Sequence, residues 1–318
     1  MNKLISLNIK PVKQYNIFLH NLFFFLRYQD KQNPHSFHSF ALYYWRKIFF
    51  FIQAFIHCKI FFDLFLFFQT SFRSDILLAN PCMLQQPIRQ WFYYHSKIQE
   101  RTFILVKHFT FLEDHISTAT LKQLYLKKGI LLWREFYKNN AISLSLTFNG
   151  NYRKEGLLAL TLTLDETRIY LLTFWIAPDY FGKNSLWIGA LQGGKSQLQT
   201  NRTLTKLFFG YRPQNLVLHT LYLITQHLQI EQIYAVSNYG FQASHHLSPN
   251  RRLKTSYDKF WLESQGTLCF DKRFFALPSH ELRKPLEAVP SHKRNLYRKR
   301  YAFLDLVNAK IKTVLNSL

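Results

Sequence analysis

Between Leu186 and Asn238 the apolar positions change period twice, from two to about 3.6 and back. LWIGALQGG (186–194) reads as a strand buried on both faces, ending where Gly193 and Gly194 free the backbone. Thr203–Phe209 has helical spacing at Leu204, Leu207 and Phe208, with Gly210 at the stop position. Pro213 suits the first turn of a second helix, where a missing N–H costs least. Val217, Leu221, Ile224 and Leu228 give that helix one apolar face. Ile230, Ile233, Ala235 and Val236 close the unit as a strand. Strand, helix, strand predicts a crossover joining two parallel neighbours.

Upstream, Ile142–Phe148 alternates apolar with polar positions. Leu157–Leu164 and Ile169–Ile176 follow, with a turn at Asp165-Glu166-Thr167, so a meander of about four antiparallel strands feeds the crossover. Ile88–Glu100 is predicted helical. Leu121, Leu124 and Tyr125 predict a helix from Thr118 that Gly129 stops. Asn80–Pro87 reads as a loop and Asn149-Gly150-Asn151 as a turn. The polar, basic run after Asn238 predicts a loop or a last hairpin, and Lys293–Asn316 a C-terminal helix. The expected fold class is α/β of the α+β kind, with a mixed, mainly antiparallel sheet. Residues 1–74 form an aromatic-rich helical N-terminal extension and residues 75–318 the α/β domain.

The extension holds the most apolar stretch, Ile48–Phe68, with nine Phe. Gln53, His57, Lys59 and Asp63 interrupt it, and a central Lys or Asp costs roughly 2.5–3.5 kcal/mol on insertion into a bilayer. Lys59 and Asp63 are four apart and can pair on one helix face. The stretch is expected to pack in an aromatic core or lie on a membrane surface, not to span. Lys10, Pro11 and Lys13 do not read as a signal peptide. The expected location is cytoplasmic, peripheral to the inner membrane if that surface binds lipid.

Charge narrows the partners. The 318 residues carry 41 basic against 18 acidic side chains, a net charge of +23. That attracts an anionic partner, whether a phosphorylated cofactor, nucleic acid or anionic lipid, without choosing among them. The three cysteines, Cys58, Cys82 and Cys269, are odd in number and far apart, so neither a disulfide framework nor a metal site is expected.

Five stretches follow one another in a recognisable order: WIGALQG (187–193), LTKLFFGYRPQNL (204–216), AVSN (235–238), SYDKFW (256–261) and KRNLYRKRY (293–301). In these the chain resembles the VirK/YbjX family of bacterial proteins, from about residue 75 onwards. The resemblance implies a domain of unknown biochemical activity, associated with virulence and with resistance to cationic antimicrobial peptides. The family usually carries a His shortly after the AVSN strand. Here Tyr239-Gly240-Phe241 stands there, with His245 and His246 beyond.

The order of elements also resembles the acyl-CoA-dependent N-acyltransferase (GNAT) architecture, in which a helix N-terminus after a strand binds the cofactor pyrophosphate. The resemblance implies acyl-CoA as cofactor, with Gly193, Arg212, Gln214 and Asn215 as the binding set. The usual signature, Arg/Gln-x-x-Gly-x-Gly/Ala, lacks its later glycines here, and Pro213 removes one donor. Asp258, Asn238 and His245 are the candidate catalytic residues. Each also has a plain structural role: Asp258 as the cap of a helix beginning at Lys259, Asn238 as the tie of a turn, His245 as a solvent-facing loop residue. Lys293, Arg294, Arg298 and Arg300 form a basic helical stretch interleaved with tyrosine, suited to an anionic surface. Two function classes result: an acyl-transferring enzyme, or a module that binds nucleic acid or a partner through its basic tail.

Overall fold

The computed structural model describes residues 37–70, 72–80, 83–84, 86–88, 91–137, 139–148, 154–194, 197–242 and 256–318. The chain divides into two compact units, residues 1–88 and 89–318.

In the first unit, α1 (Phe37–Ile56), α2 (Cys58–Phe68) and α3 (Arg73–Ala79) follow one another. Phe61, Leu64, Phe65 and Phe68 fall at i, i+3, i+4 and i+7 of α2 and are all buried. Phe50 of α1 meets Phe61 edge-on at 5.7 Å. Among the described residues no single helix is long and apolar enough to cross a membrane. Ile48–Ile56 and Cys58–Phe68 meet that criterion only together, bent by 98°. Burial raises the Asp63 carboxyl above its ordinary range, and Lys59 one turn away opposes the shift.

The second unit is built on an eight-stranded sheet: β1 (Ile130–Tyr137), β2 (Asn140–Thr147), β3 (Leu158–Leu164), β4 (Thr167–Pro178), β5 (Asn184–Gly193), β6 (Gln232–Val236), β7 (Thr267–Leu268) and β8 (Phe274–Leu277). Their spatial order is β1-β2-β3-β4-β5-β6-β8-β7. Every neighbouring pair is antiparallel except β5 and β6, which the crossover joins in parallel. The expected α+β class with a mixed, mainly antiparallel sheet is therefore the observed one.

The helices are α4 (Ile98–His115), α5 (Thr118–Leu126), α6 (Leu198–Leu207), α7 (Pro213–His227), α8 (Tyr257–Glu263) and α9 (Ser291–Leu315). The long β4 is buried along both faces. It takes α4 on one side and α7 on the other, and α9 packs across α7. Pro213 is the first residue of α7, as predicted. Most of that helix is buried, because it lies between the sheet and α9.

Two expectations need correcting. Ile88–Glu100 is not a helix: α4 begins only at Ile98, where the Glu100 carboxylate accepts from the Lys97 main-chain N–H at 2.6 Å. Trp91, Phe92 and Tyr93 are all buried, which one face of a helix cannot achieve for three consecutive residues. Phe92 and His95 instead adopt φ of 70° and 56°. Second, the helix expected at Lys259 begins at Tyr257, and Ser256 caps it by accepting from the Lys259 N–H. ILLWREFY (130–137), where no element was expected, is the edge strand β1; its outer half is exposed and shows no clean alternation. The turn expected at Asn149–Asn151 lies outside the described residues.

Candidate functional site

The parallel register of β5 and β6 runs from Ser185 opposite Gln232 to Ile188 opposite Ala235. Beyond that pair β5 continues along β4, while Val236 pairs with Phe274 of β8. The two strands part there. At the same point β5 carries a bulge, since Thr173 opposes Ala190 but Phe174 opposes Ile188, leaving Gly189 over. Only glycine fits: a Cβ on Gly189 would stand 1.7 Å from the main-chain oxygen of Glu155.

Glu155 is thereby held against the bulge. The Gln192 amide of β5 donates to its Oε2 at 3.0 Å, and the Thr173 hydroxyl of β4 donates to its main-chain oxygen at 3.3 Å. Burial pushes the Glu155 carboxyl up to about 7. The Gln192 bond and the charges of Lys154 and Arg168 act in the opposite sense. Tyr257, at the start of α8, is buried and its hydroxyl reaches the backbone of Leu191. Burial, and then the Glu155 charge, raise that phenol far above its ordinary range. Trp261 of α8 donates from Nε1 to the Val236 carbonyl at 2.8 Å and so fixes α8 to the end of β6. A carboxyl raised toward neutral and a phenol raised far above its ordinary range thus feel one another's charge beside the point where the sheet splits.

A cavity of about 380 Å³ opens beside the N-terminus of α7. Arg212, Asn215 and Arg300 all line it. Arg212 is paired with Glu263 of α8 at 2.6 Å, both side chains well exposed. Below the rim, Glu281 accepts from the Tyr211 hydroxyl at 2.7 Å and from His219 Nδ1 at 2.8 Å, while His219 Nε2 lies 2.6 Å from Asn308 Oδ1. These bonds hold the Glu281 carboxylate below its ordinary range although burial works against them.

The remaining predicted residues are placed as follows. Gln214 accepts from the Tyr170 hydroxyl at 3.1 Å, and Tyr170 opposes Gly193 across β4 and β5, so the Tyr170 side chain links Gln214 to the end of β5. The first turn of α7 offers few donors. Pro213 has no N–H, and those of Asn215 and Leu216 both turn onto the Arg212 carbonyl. Asn238 and Asp258 engage one another: Asp258 Oδ1 accepts from the Asn238 N–H at 2.7 Å, and the Asn238 side chain bonds Ser256 and the Tyr257 N–H. His245 lies outside the described residues. On α9, Lys293, Arg294 and Arg298 are exposed, whereas Arg300 turns inward to the cavity.

Sequence reasoning missed Glu155, Gln192, Glu281 and His219. Glu155 precedes a strand with no motif around it. His219, by contrast, interrupts an apolar helical run (LVLHTLYLI, 216–224), and a polar side chain there needs a buried partner.

The family model "Protein of unknown function (DUF535)" matches residues 41–313. The chain is similar to the uncharacterized protein YbjX of Escherichia coli (strain K12), 30% identical over 213 residues, which are 65% of this chain and 64% of that one. It therefore covers a little under two thirds of the E. coli protein. Two uncharacterized proteins of Haemophilus influenzae (strain ATCC 51907 / DSM 11121 / KW20 / Rd) are also similar. One is 26% identical over 76% of each chain, the other 32% identical over 43% of this chain and 44% of its own. The match extends over most of the sheet and both helices that flank the cavity, and the chain belongs to the DUF535 family, which corresponds to VirK/YbjX.

Proposed function

We propose that the second unit is an acyl-CoA-dependent N-acyltransferase whose acid–base pair is Glu155 and Tyr257. The observation that carries this is the parting of β5 from β6 beside a bulged Gly189, with a carboxyl titrating near 7 held at the same point. The strand order, with β8 inserted between β6 and β7, supports a GNAT-like scaffold. Bound acyl-CoA would supply an acyl group activated as a thioester. Glu155 would serve as the base that accepts a proton from the acceptor amine, and Tyr257 would hold a phenolic proton for the leaving thiolate. Arg212, on exchanging its exposed partner Glu263, and the Gln214 N–H would be the donors at the start of α7 for the cofactor's phosphates. Acylating an amine removes its positive charge, which is the chemistry that would blunt a cationic peptide, in keeping with the family resemblance.

The test is release of free thiol from acetyl-CoA and a long-chain acyl-CoA, with a lysine-rich peptide as acceptor. Glu155→Gln is expected to lower the rate about a hundredfold or more. Absence of thiol release together with absence of acyl-CoA binding would sink the reading.

A second reading has its own support. Lys293, Arg298 and Lys299 are exposed on α9 and have no carboxylate partner among the described residues. Such a face would bind a nucleic-acid backbone, with affinity falling steeply as salt rises. Saturable binding of a mixed-sequence RNA that Arg298→Gln weakens would favour it.

A further inference from the structure

Matching the charges around the cavity beside α7 leaves a surplus. Arg212 is paired with Glu263. Arg283 is paired with Asp305 at 2.6 Å and lies over the Tyr301 ring. Glu281 is taken by Tyr211 and His219. Two lining cations remain, Lys284 and Arg300, and neither has a carboxylate partner among the described residues.

Arg300 is also fixed in place. Its Nε donates to the Phe209 carbonyl at 3.0 Å, and its guanidinium stacks over Tyr297 at 4.3 Å. Gly210 makes room for it. A Cβ there would lie 2.8 Å from Arg300 Nη2, and its φ of +77° is one that side chains resist. A guanidinium anchored through Nε and one ring face keeps its outer N–H groups for a ligand, and its planar fork matches the oxygens of a phosphate. Lys284 adds a second positive charge from the segment after β8. Nearby, Asn215 Oδ1 is buried with no partner among the described residues, an acceptor suited to a hydroxyl of the same ligand. At about 380 Å³ the cavity has the size of a small-molecule site.

We infer that this cavity is a binding site for a small phosphate monoester, its phosphoryl group held by Arg300 and Lys284. The site stands on its own charges and does not depend on the acyl-transfer reading. The phosphate could belong to a free metabolite or to a nucleotide cofactor.

The experiment is calorimetric titration of inorganic phosphate into the full chain. Saturable binding is expected. Arg300→Gln and Lys284→Gln should each weaken it at least tenfold, and the exposed control Lys128→Gln, outside the cavity lining, should leave it within twofold. Lys284 is exposed, so its variant keeps the test sound even if Arg300→Gln fails to fold. Competition with CoA and dephospho-CoA then separates the sources. Tighter competition by CoA assigns the site to the cofactor's monoester, absent competition by both assigns it to a free metabolite, and equal competition by both, through the diphosphate they share, would overturn the monoester assignment. Absence of saturable phosphate binding, or affinity unchanged in both cavity variants, would overturn the inference whatever the thiol-release assay shows.

Discussion

Gly189 lies so close to Glu155 that no side chain fits between them: a Cβ would meet the Glu155 carbonyl oxygen at 1.7 Å and the Trp175 ring at 2.9 Å. The bulge in β5 therefore depends on a missing side chain. Neither the backbone oxygen nor the buried Trp175 can move without disturbing the strands that hold them. Gly189→Ala is expected to destabilise the second unit by about 3 kcal/mol, at the upper end for overpacking a core. Urea denaturation measures this. A loss below about 0.5 kcal/mol would mean the bulge yields easily.

The pH dependence of stability should show two opposed groups. Glu155 titrates at about 7 in the fold against an ordinary 4.5, so its contribution is complete below pH 4.5 and is lost as pH rises to about 7. His108 is fully buried. Its Nδ1 accepts from the Ile176 N–H at 3.0 Å, and its Nε2 lies 2.7 Å from the Tyr125 hydroxyl. Burial lowers it from 6.5 to about 3, so its contribution is complete above pH 6.5 and is lost as pH falls toward 3. Between pH 4.5 and 6.5 the two slopes, about 1.4 kcal/mol per pH unit each, oppose one another. Chemical denaturation of the wild type across that window should give a nearly flat profile. Glu155→Gln should tilt it so that stability falls toward acid, and His108→Gln so that it falls toward neutrality. Parallel profiles for both variants would contradict the assignment.

Asn238 and Asp258 should behave as a structural clamp. Asn238→Ala removes two side-chain hydrogen bonds at the β6–α8 junction and should cost about 1–2 kcal/mol. Asp258→Asn should cost less, since its amide oxygen still accepts from the Asn238 N–H. If thiol release is observed, both variants should retain it under conditions where they remain folded. A loss of turnover at unchanged melting temperature would favour the catalytic role.

Arg212 and Glu263 are exposed enough that solvent screens their bond. Glu263→Gln is expected to change stability by less than about 1 kcal/mol. It should also free Arg212 and tighten binding of an anionic ligand in the adjoining cavity. Thermal melts with and without phosphate test both halves of that expectation.

The local features were legible in the sequence. Pro213 opens α7, Gly210 takes a positive φ, and the alternation from Ile142 yields β2, because each depends on the conformational range of a residue or on a period over a few neighbours. Even the parallel pair followed from the strand–helix–strand order. The edge strand β1 and the irregular Trp91–Tyr93 stretch were not legible, since exposure of one and burial of the other depend on elements far along the chain.

The candidate site divides the same way. Arg212 was visible as the cation before a helix, and the basic stretch of α9 was visible as a run of charge. Only the tertiary structure turned Arg300 inward while its neighbours faced solvent, since its Nε found the Phe209 carbonyl on a segment 91 residues away. Glu155 carried no mark at all in the sequence. Its unusual carboxyl arises from burial beside the β5 bulge, against the opposing bond from Gln192, 37 positions later, and desolvation is a property of a place in the fold and not of a residue in a string.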